Sequence, residues 1–199
     1  MSKLVRTDHP IHELLAKRWS PLAFADRAVP ADALRRLLEA ARWAPSSYNE
    51  QPWAFIVATK DKPDEFQKLL QCLVPGNQTW AKDAPVLMLT VASHNFKKNQ
   101  KPNRHCFHDV GLAMGNLCAQ ATAEGLYVHQ MAGIEVDKAR ADYGIPADWE
   151  PVAGAAIGYH GDPNHLPEQL QAREKAERTR KPLGDFVFAN SWGATSSLV

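Results

Sequence analysis

Apolar side chains recur at two different spacings along the chain, and each spacing predicts a different kind of element. In residues 30–44, Leu34, Leu37, Leu38 and Ala41 fall on one stripe of a helix. The same spacing predicts further helices near residues 11–15, 63–74 and 107–124. Residues 136–143, which Gly144 follows, and the charged residues 167–178 are also predicted to be helical. The longest of these carries small residues on one side, so we expect it at the centre of the molecule or at a subunit interface.

Two short runs have almost no polar positions and predict β-strands. They are Trp53–Thr59 and residues 86–92, both rich in branched or aromatic side chains. Strands of this composition are usually covered on both faces, so we expect both to be central strands of a sheet. Residues 127–130 and 152–158 predict two more strands.

The end of the chain is apolar without a clear period. The last twenty residues hold Leu183, Phe186, Val187, Phe188 and Trp192. This is too much apolar surface for a free tail. We expect the tail to pack on another surface, and a partner subunit is a good candidate.

Length and composition narrow the classes of protein. A chain of 199 residues, 45% of them hydrophobic, is long enough for one sizeable core, so residues 1–199 are predicted to form a single domain. Its formal net charge of +1 disfavours partners such as nucleic acid or an anionic membrane. The first residues lack the apolar stretch of a signal peptide, and the three cysteines have no CxxC spacing. We therefore expect a cytoplasmic protein with reduced, mostly buried thiols.

The common catalytic motifs are missing from the sequence. It contains no G-x-G-x-x-G, Walker A, H-E-x-x-H or G-x-S-x-G pattern. His105 and His108 could share a helical face, but two histidines without a third ligand are weak evidence, so no metal site is predicted. The basic run of residues 97–104 is most simply a solvated loop. A weaker alternative is that it meets the phosphates of a nicotinamide cofactor.

Three separated polar segments are harder to explain by packing alone. Residues 18–20 (RWS) offer a guanidinium and a hydroxyl suited to a phosphate or a ribityl chain. Residues 45–53 (PSSYNEQPW) place small hydrogen-bonding side chains between a helix and a strand, where unpaired polar groups are costly. Residues 178–183 (RTRKPL) concentrate three cations.

The order and spacing of these segments resemble the nitroreductase family of flavoproteins over nearly the whole chain. The family pattern runs Arg-x-Ser, then Ala-Pro-Ser-x-x-Asn-x-Gln-Pro-Trp, then a basic pair before Pro-Leu and an aromatic tail. This chain has RWS at 18–20, APSSYNEQPW at 44–53 and RTRKPL at 178–183. NQTW at 77–80 resembles the family's asparagine-containing stretch, and HQMAG at 129–133 resembles its flavin-facing loop. The middle loop is the most specific of these signals.

The resemblance implies an α+β fold in which a mixed central β-sheet is surrounded by helices. It also implies an intertwined homodimer, in which the C-terminal tail from about residue 182 is exchanged onto the partner subunit. Two FMN sites would lie at the subunit interface, with NADH or NADPH as co-substrate and a small molecule as acceptor.

The same resemblance distributes the cofactor-binding residues over both subunits. One subunit would hold the FMN phosphate and ribityl chain with Arg18, Trp19, Ser20, Arg178 and Arg180. The other would reach the same flavin with Pro45, Ser46, Ser47 and Asn49. Asn77 would bond the polar edge of the flavin ring, and the backbone near Ala132 and Gly133 would face N5 and O4.

No catalytic side chain is predicted, because flavin N5 carries the chemistry. The resemblance implies a ping-pong cycle, in which hydride passes from NAD(P)H to N5 and then to a nitroaromatic or a quinone. A flavin-dependent dehydrogenase, enone reductase or dehalogenase on the same fold remains open, as do a non-catalytic flavin-binding protein and a purely structural one. Many relatives carry a basic residue where this chain has Leu22. If Lys82 does not supply that charge from the neighbouring segment, we expect a lower flavin potential than in those relatives.

Overall fold

The computed structural model describes Lys3, Val5 and residues 7–199, and it has the α+β architecture that the resemblance implies. Four strands form one sheet: β1 (Trp53–Thr59), β2 (Val86–Ser93), β3 (Tyr127–Met131) and β4 (Trp149–Gly158). Their order across the sheet is β1-β2-β4-β3, and all three pairings are antiparallel. The parallel strand that a mixed sheet requires would have to come from outside these four.

Seven α-helices surround the sheet in the described part of the chain. They are α1 (Glu13–Lys17), α2 (Ala31–Arg42), α3 (Pro63–Leu70), α4 (Pro75–Ala81), α5 (Cys106–Ala123), α6 (Val136–Tyr143) and α7 (Glu168–Lys175). The predicted helices are confirmed with shifted ends, whereas α4 was not predicted, because it buries only Trp80 and Ala81 and so shows no apolar stripe. Gly144 ends α6 in the left-handed conformation, with φ of 61°, which glycine adopts without a steric penalty.

The core lies on both faces of the sheet, because β2 is buried along its whole length. Successive side chains of a strand point to opposite faces. Leu87 and Leu89 therefore pack with α3 and α4 on one face, while Val86 and Met88 pack with α2 and α5 on the other. Complete burial of one such side chain stabilises the fold by about 1.5–3 kcal/mol.

The prediction of two central strands is right for β2 and wrong for β1. β1 stands at the edge of the sheet, and only Ala58 of its seven residues is fully buried. Composition alone could not separate the two strands, because both are apolar. One long edge of β1 thus has no strand beside it in the described part of this chain.

The C-terminal tail makes few contacts with the domain. Trp192 is 94% exposed, and Phe186 and Leu198 are also exposed. Phe188 packs edge-on against Trp192 within the tail, with ring centroids 5.3 Å apart. That the tail packs on a partner subunit stays a prediction.

The expected state of the thiols is confirmed. Cys72, Cys106 and Cys118 are buried and free, and burial raises the pKa of each. Among the described helices, none is long and apolar enough to cross a membrane.

Candidate functional site

The first predicted segment follows α1, and we call residues 18–24 the arginine segment. The guanidinium of Arg178 holds its start, because Nη2 donates to the carbonyl of Arg18 at 2.6 Å. Nη1 of the same side chain donates to the carbonyls of Ala16, at 3.1 Å, and Lys3, at 2.9 Å. Arg178 therefore fixes the backbone beneath Arg18, as well as standing next to it.

Three predicted arginines gather at this place without a counter-charge. Burial lowers the pKa of Arg178, and the nearby charges of Arg18 and Arg180 lower it further. None of the three forms a salt bridge with a carboxylate in the described part of the chain. Ser20 is exposed beside them, and Arg18 Nη1 lies 3.4 Å from its hydroxyl. Such a cluster has the charge and the donors to bind a phosphate.

A buried carboxylate, which the sequence did not reveal, anchors the middle of the arginine segment. The side chain of Glu174 is only 2% exposed, and its Oε2 accepts a hydrogen bond from the Leu22 N–H at 2.7 Å. Its Oε1 lies 2.9 Å from Nε2 of His160, which must be the donor because a carboxylate only accepts. Helix α7 thus holds residues 18–24 through one side chain.

Trp19 and Leu22 both point into the protein. Trp19 is buried against Tyr127 and His160, with ring centroids 5.8 Å and 5.1 Å away. Its Nε1 has no hydrogen-bond partner, so the segment has a buried donor in need of an acceptor. Leu22 belongs to the core, so an arginine in its place would have to be buried or move the backbone.

The second predicted segment is the strained part of the site, and we call residues 45–51 the polar loop. Tyr48, Asn49 and Gln51 adopt φ angles of 54°, 56° and 53°, in the left-handed region that residues other than glycine rarely occupy. The Gln51 N–H donates to the hydroxyl of Ser46 at 3.0 Å. Strain of this kind concentrates at binding sites, where the surrounding structure maintains it.

A second buried carboxylate maintains the polar loop. The side chain of Asp109, on α5, is 3% exposed, and its Oδ2 accepts a hydrogen bond from the Ser47 N–H at 3.0 Å. Its Oδ1 lies 3.1 Å from Nδ1 of His108. A cavity of about 320 Å³ opens here, lined by Pro45, Ser46, Ser47, His105, His108, Asp109 and Leu112.

The third group of predicted residues lies beyond β3. Asn77, in the first turn of α4, donates from Nδ2 to the carbonyl of Gly133 at 3.0 Å. A Cβ added to Gly133 would come within 2.7 Å of both Asn77 and Val74, so only glycine allows this approach. Ala132 is exposed next to it. The structure therefore brings Asn77, Ala132 and Gly133 together, and their contact with a flavin stays a prediction.

The arginines and the polar loop are not neighbours within one chain. Arg18 lies near Cys118: burial raises the pKa of this thiol, and the charge of Arg18 acts in the opposite direction. Ser47, in the polar loop, contacts Asp109. These two positions on α5 are nine residues apart, or about 14 Å along the helix axis. The two halves of the predicted site thus lie at different ends of the same helix.

Other candidate groups have structural roles or lie elsewhere. Trp80 is a core residue, 4.4 Å from the ring of His129, and Tyr48 is exposed. A cavity of about 620 Å³ includes Lys82 and lies where β4 ends, at the opposite end of the sheet from the polar loop. No three His, Cys, Asp or Glu side chains converge as metal ligands among the described residues.

The family model described as the nitroreductase family matches this chain. It covers residues 15–86 and 64–159. The matched ranges contain the arginine segment, the polar loop, Asn77 and Gly133, but they stop before Arg178 and Arg180.

One solved structure is similar over nearly the whole chain. It is the crystal structure of an oxidoreductase containing FMN, with 35% identity, a TM-score of 0.91, and coverage of 98% of this chain and 99% of that one.

Three curated relatives match with lower identity. An uncharacterised 15.4 kDa protein of Mycolicibacterium smegmatis is 30% identical over 133 residues, which cover 67% of this chain and 88% of the relative. An FMN reductase [NAD(P)H] of Bacillus subtilis is 27% identical over 188 residues, or 84% of this chain and 74% of the relative. An iodotyrosine deiodinase of Haliscomenobacter hydrossis is 23% identical over 195 residues, or 83% and 85%.

Proposed function

The chain belongs to the nitroreductase family, and on that premise we propose that it is an FMN-dependent oxidoreductase. It takes electrons from NADH or NADPH and passes them to small electrophilic acceptors such as nitroaromatics and quinones. The similarity to an oxidoreductase containing FMN and to an FMN reductase supports this reading.

The observation that carries the proposal is the cluster of Arg18, Arg178 and Arg180. Three guanidinium groups close together repel one another, and no described carboxylate neutralises them. A bound phosphate relieves this repulsion and accepts several charge-assisted hydrogen bonds at once. The exposed hydroxyl of Ser20 adds a donor beside Arg18. These residues therefore fit FMN.

FMN supplies, when bound, the reversible hydride chemistry that no side chain provides. The protein contributes binding and position. Arg18 and Arg180 neutralise the phosphate, Arg178 holds the backbone under them, and Ser20 bonds the ribityl chain. Asn77 and the backbone at Ala132 and Gly133 bind the polar edge of the flavin ring. Pro45, Ser46, Ser47 and Asn49 close the site from the polar loop.

We infer that the sites form between two copies of the chain. The separation of the arginines from the polar loop along α5 supports a site built by two subunits. The exposed tail is an apolar surface that a second copy can bury, and the free edge of β1 offers backbone groups with which another segment can pair. On α5, Gly111 and Gly115 are exposed, and a Cβ on either would meet nothing within 4 Å, which leaves room for close packing.

The decisive experiment is the visible spectrum of purified protein that has been incubated with FMN and desalted. We expect a retained flavin spectrum that bleaches when NADH or NADPH is added without oxygen and returns when a quinone follows. If the flavin is retained but neither NADH nor NADPH bleaches it, the protein binds flavin without acting as an NAD(P)H oxidoreductase. Failure to retain FMN would overturn the proposal.

A mixing experiment tests the shared site. Arg180→Gln and Asn49→Ala should each reduce flavin retention, while hybrid dimers of the two variants contain one site with both substitutions and one with neither. We expect co-expression to restore part of the flavin content. No recovery in verified hybrids would place the whole site within one chain.

A second candidate function is reductive dehalogenation, and the similarity to an iodotyrosine deiodinase favours it. The same reduced protein should then be offered iodotyrosine in parallel with a nitroarene. Faster reoxidation by iodotyrosine, with release of iodide, would favour the dehalogenase, and the opposite order would favour the nitroreductase.

A further inference from the structure

The segment between β2 and α5 is a folded hairpin, and we call residues 94–104 the basic hairpin. Asn95 pairs with Pro102 in an antiparallel bridge, and the Phe96 N–H donates to the carbonyl of Lys101 at 2.9 Å. The segment is solvated as expected, because its lysines are exposed, and these main-chain contacts also order it. Its side chains are presented from a defined scaffold.

The basic hairpin rests on the polar loop. The Lys97 N–H donates to Oε1 of Glu50 at 2.8 Å, and the ring of Phe96 meets that of Tyr48 edge-on at 5.9 Å. A ligand bound over the polar loop is consequently next to the hairpin as well.

The charge of the chain is concentrated on this hairpin. It carries four exposed cations and no acid: Lys97, Lys98, Lys101 and Arg104. Since the whole chain has a formal net charge of +1, the remainder is negative by three charges. None of the four cations forms a salt bridge within the described ranges, and Glu50 binds the main chain of the hairpin. A polyanion near the polar loop meets its strongest attraction here.

We propose that the basic hairpin binds the phosphates of the dinucleotide donor and makes the protein prefer NADPH to NADH. The two donors share a pyrophosphate, and NADPH adds a 2′-phosphate of about two negative charges. Exposed lysines act on such a group mainly through charge, so the preference weakens as salt is added. The inference rests on the proposed function, because it takes NAD(P)H as the electron donor.

The test replaces the three lysines by glutamine, in the variant Lys97→Gln/Lys98→Gln/Lys101→Gln. We expect kcat/KM for NADPH to fall about tenfold and that for NADH about twofold, from the loss of three exposed charge interactions. The matched control replaces three lysines elsewhere, as Lys62→Gln/Lys68→Gln/Lys138→Gln. The first precedes α3, the second lies in α3 and the third lies in α6. The control has the same net charge and should leave the NADPH-to-NADH ratio unchanged.

A binding measurement separates this inference from the proposed function. Titration calorimetry measures the binding of 2′,5′-ADP and of 5′-AMP without any flavin chemistry. The wild type and the control variant should bind 2′,5′-ADP more tightly than 5′-AMP. The hairpin variant should bind the two nucleotides about equally. If neither cofactor bleaches the flavin but this difference persists, the oxidoreductase fails and the phosphate site stands. Equal binding of 2′,5′-ADP by all three proteins, or equal NADPH-to-NADH ratios, would overturn the inference.

Discussion

A buried carboxylate holds the arginine segment, and another holds the polar loop. Glu174 and Asp109 are the two carboxylates that are buried among the described residues, and each accepts a backbone N–H from a segment of the candidate site. Each also contacts a histidine. His160, beside Glu174, is 19% exposed, whereas His108, beside Asp109, is 68% exposed.

This difference in exposure separates the roles of the two anchors. The Glu174 anchor lies inside the fold and ties α7 to the arginine segment, so its loss should first destabilise the domain. The Asp109 anchor lies beside an exposed histidine and maintains a strained loop, so its loss should first affect the binding of FMN. Buried carboxylates are costly unless they are well bonded, which makes both anchors informative targets.

The largest expected effect is that of Glu174→Ala. The substitution leaves the Leu22 N–H and the His160 ring unpaired in a buried place, so the free energy of unfolding should fall by about 3 kcal/mol. Urea unfolding measures this loss. Glu174→Gln, which keeps an acceptor, should lose less, and Glu177→Ala, at an exposed position, should lose little. A loss as small as that of Glu177→Ala would refute the anchor.

The substitution Asp109→Ala should lower the free energy of unfolding less than Glu174→Ala does, and it should weaken FMN binding more. We expect a loss of about 2 kcal/mol in the free energy of unfolding, together with weaker FMN binding, because the Ser47 N–H loses its acceptor and the loop can relax. Quenching of FMN fluorescence measures the dissociation constant. Asp109→Asn retains an acceptor and should rescue most of the binding, while Asp137→Ala on α6 is the control. If Asp109→Ala binds FMN as tightly as the wild type, Asp109 does not support the FMN site.

The two anchors also mark the limit of what the sequence could predict. The helix stripe at Leu34 and Leu37, the stop at Gly144 and the polar loop were all visible, since each depends on neighbouring residues. The burial of Asp109 and Glu174 was not, because it is set by partners more than sixty positions away. Glu174 stands on the charged helix α7, and Asp109 stands in the first turn of α5, where an acid is commonly exposed, so neither carboxylate shows a local sign of burial. The edge position of β1 escaped for the same reason.

The arginines themselves should differ in what they do. Arg180→Gln should weaken FMN binding about tenfold and leave riboflavin binding unchanged, because only FMN carries the phosphate. Arg178→Gln should also lower stability, since its guanidinium bonds three backbone carbonyls. Fluorescence titration with both flavins measures this, with Arg35→Gln on α2 as control. Equal losses for FMN and riboflavin would mean that Arg180 does not face the phosphate.

The smallest expected effect concerns His129, which also holds the arginine segment. Its Nδ1 donates to the carbonyl of Pro21 at 2.8 Å, and burial lowers the pKa of the ring. The unfolded chain therefore binds the proton more readily than the folded one, so stability falls as the pH drops below the unfolded pKa. His129→Gln keeps a donor and does not titrate. Between about pH 7 and about pH 5 it should lose less stability than the wild type, whereas His165→Gln, at an exposed position, should lose as much as the wild type. Parallel losses in all three proteins would show that the pH dependence comes from another group.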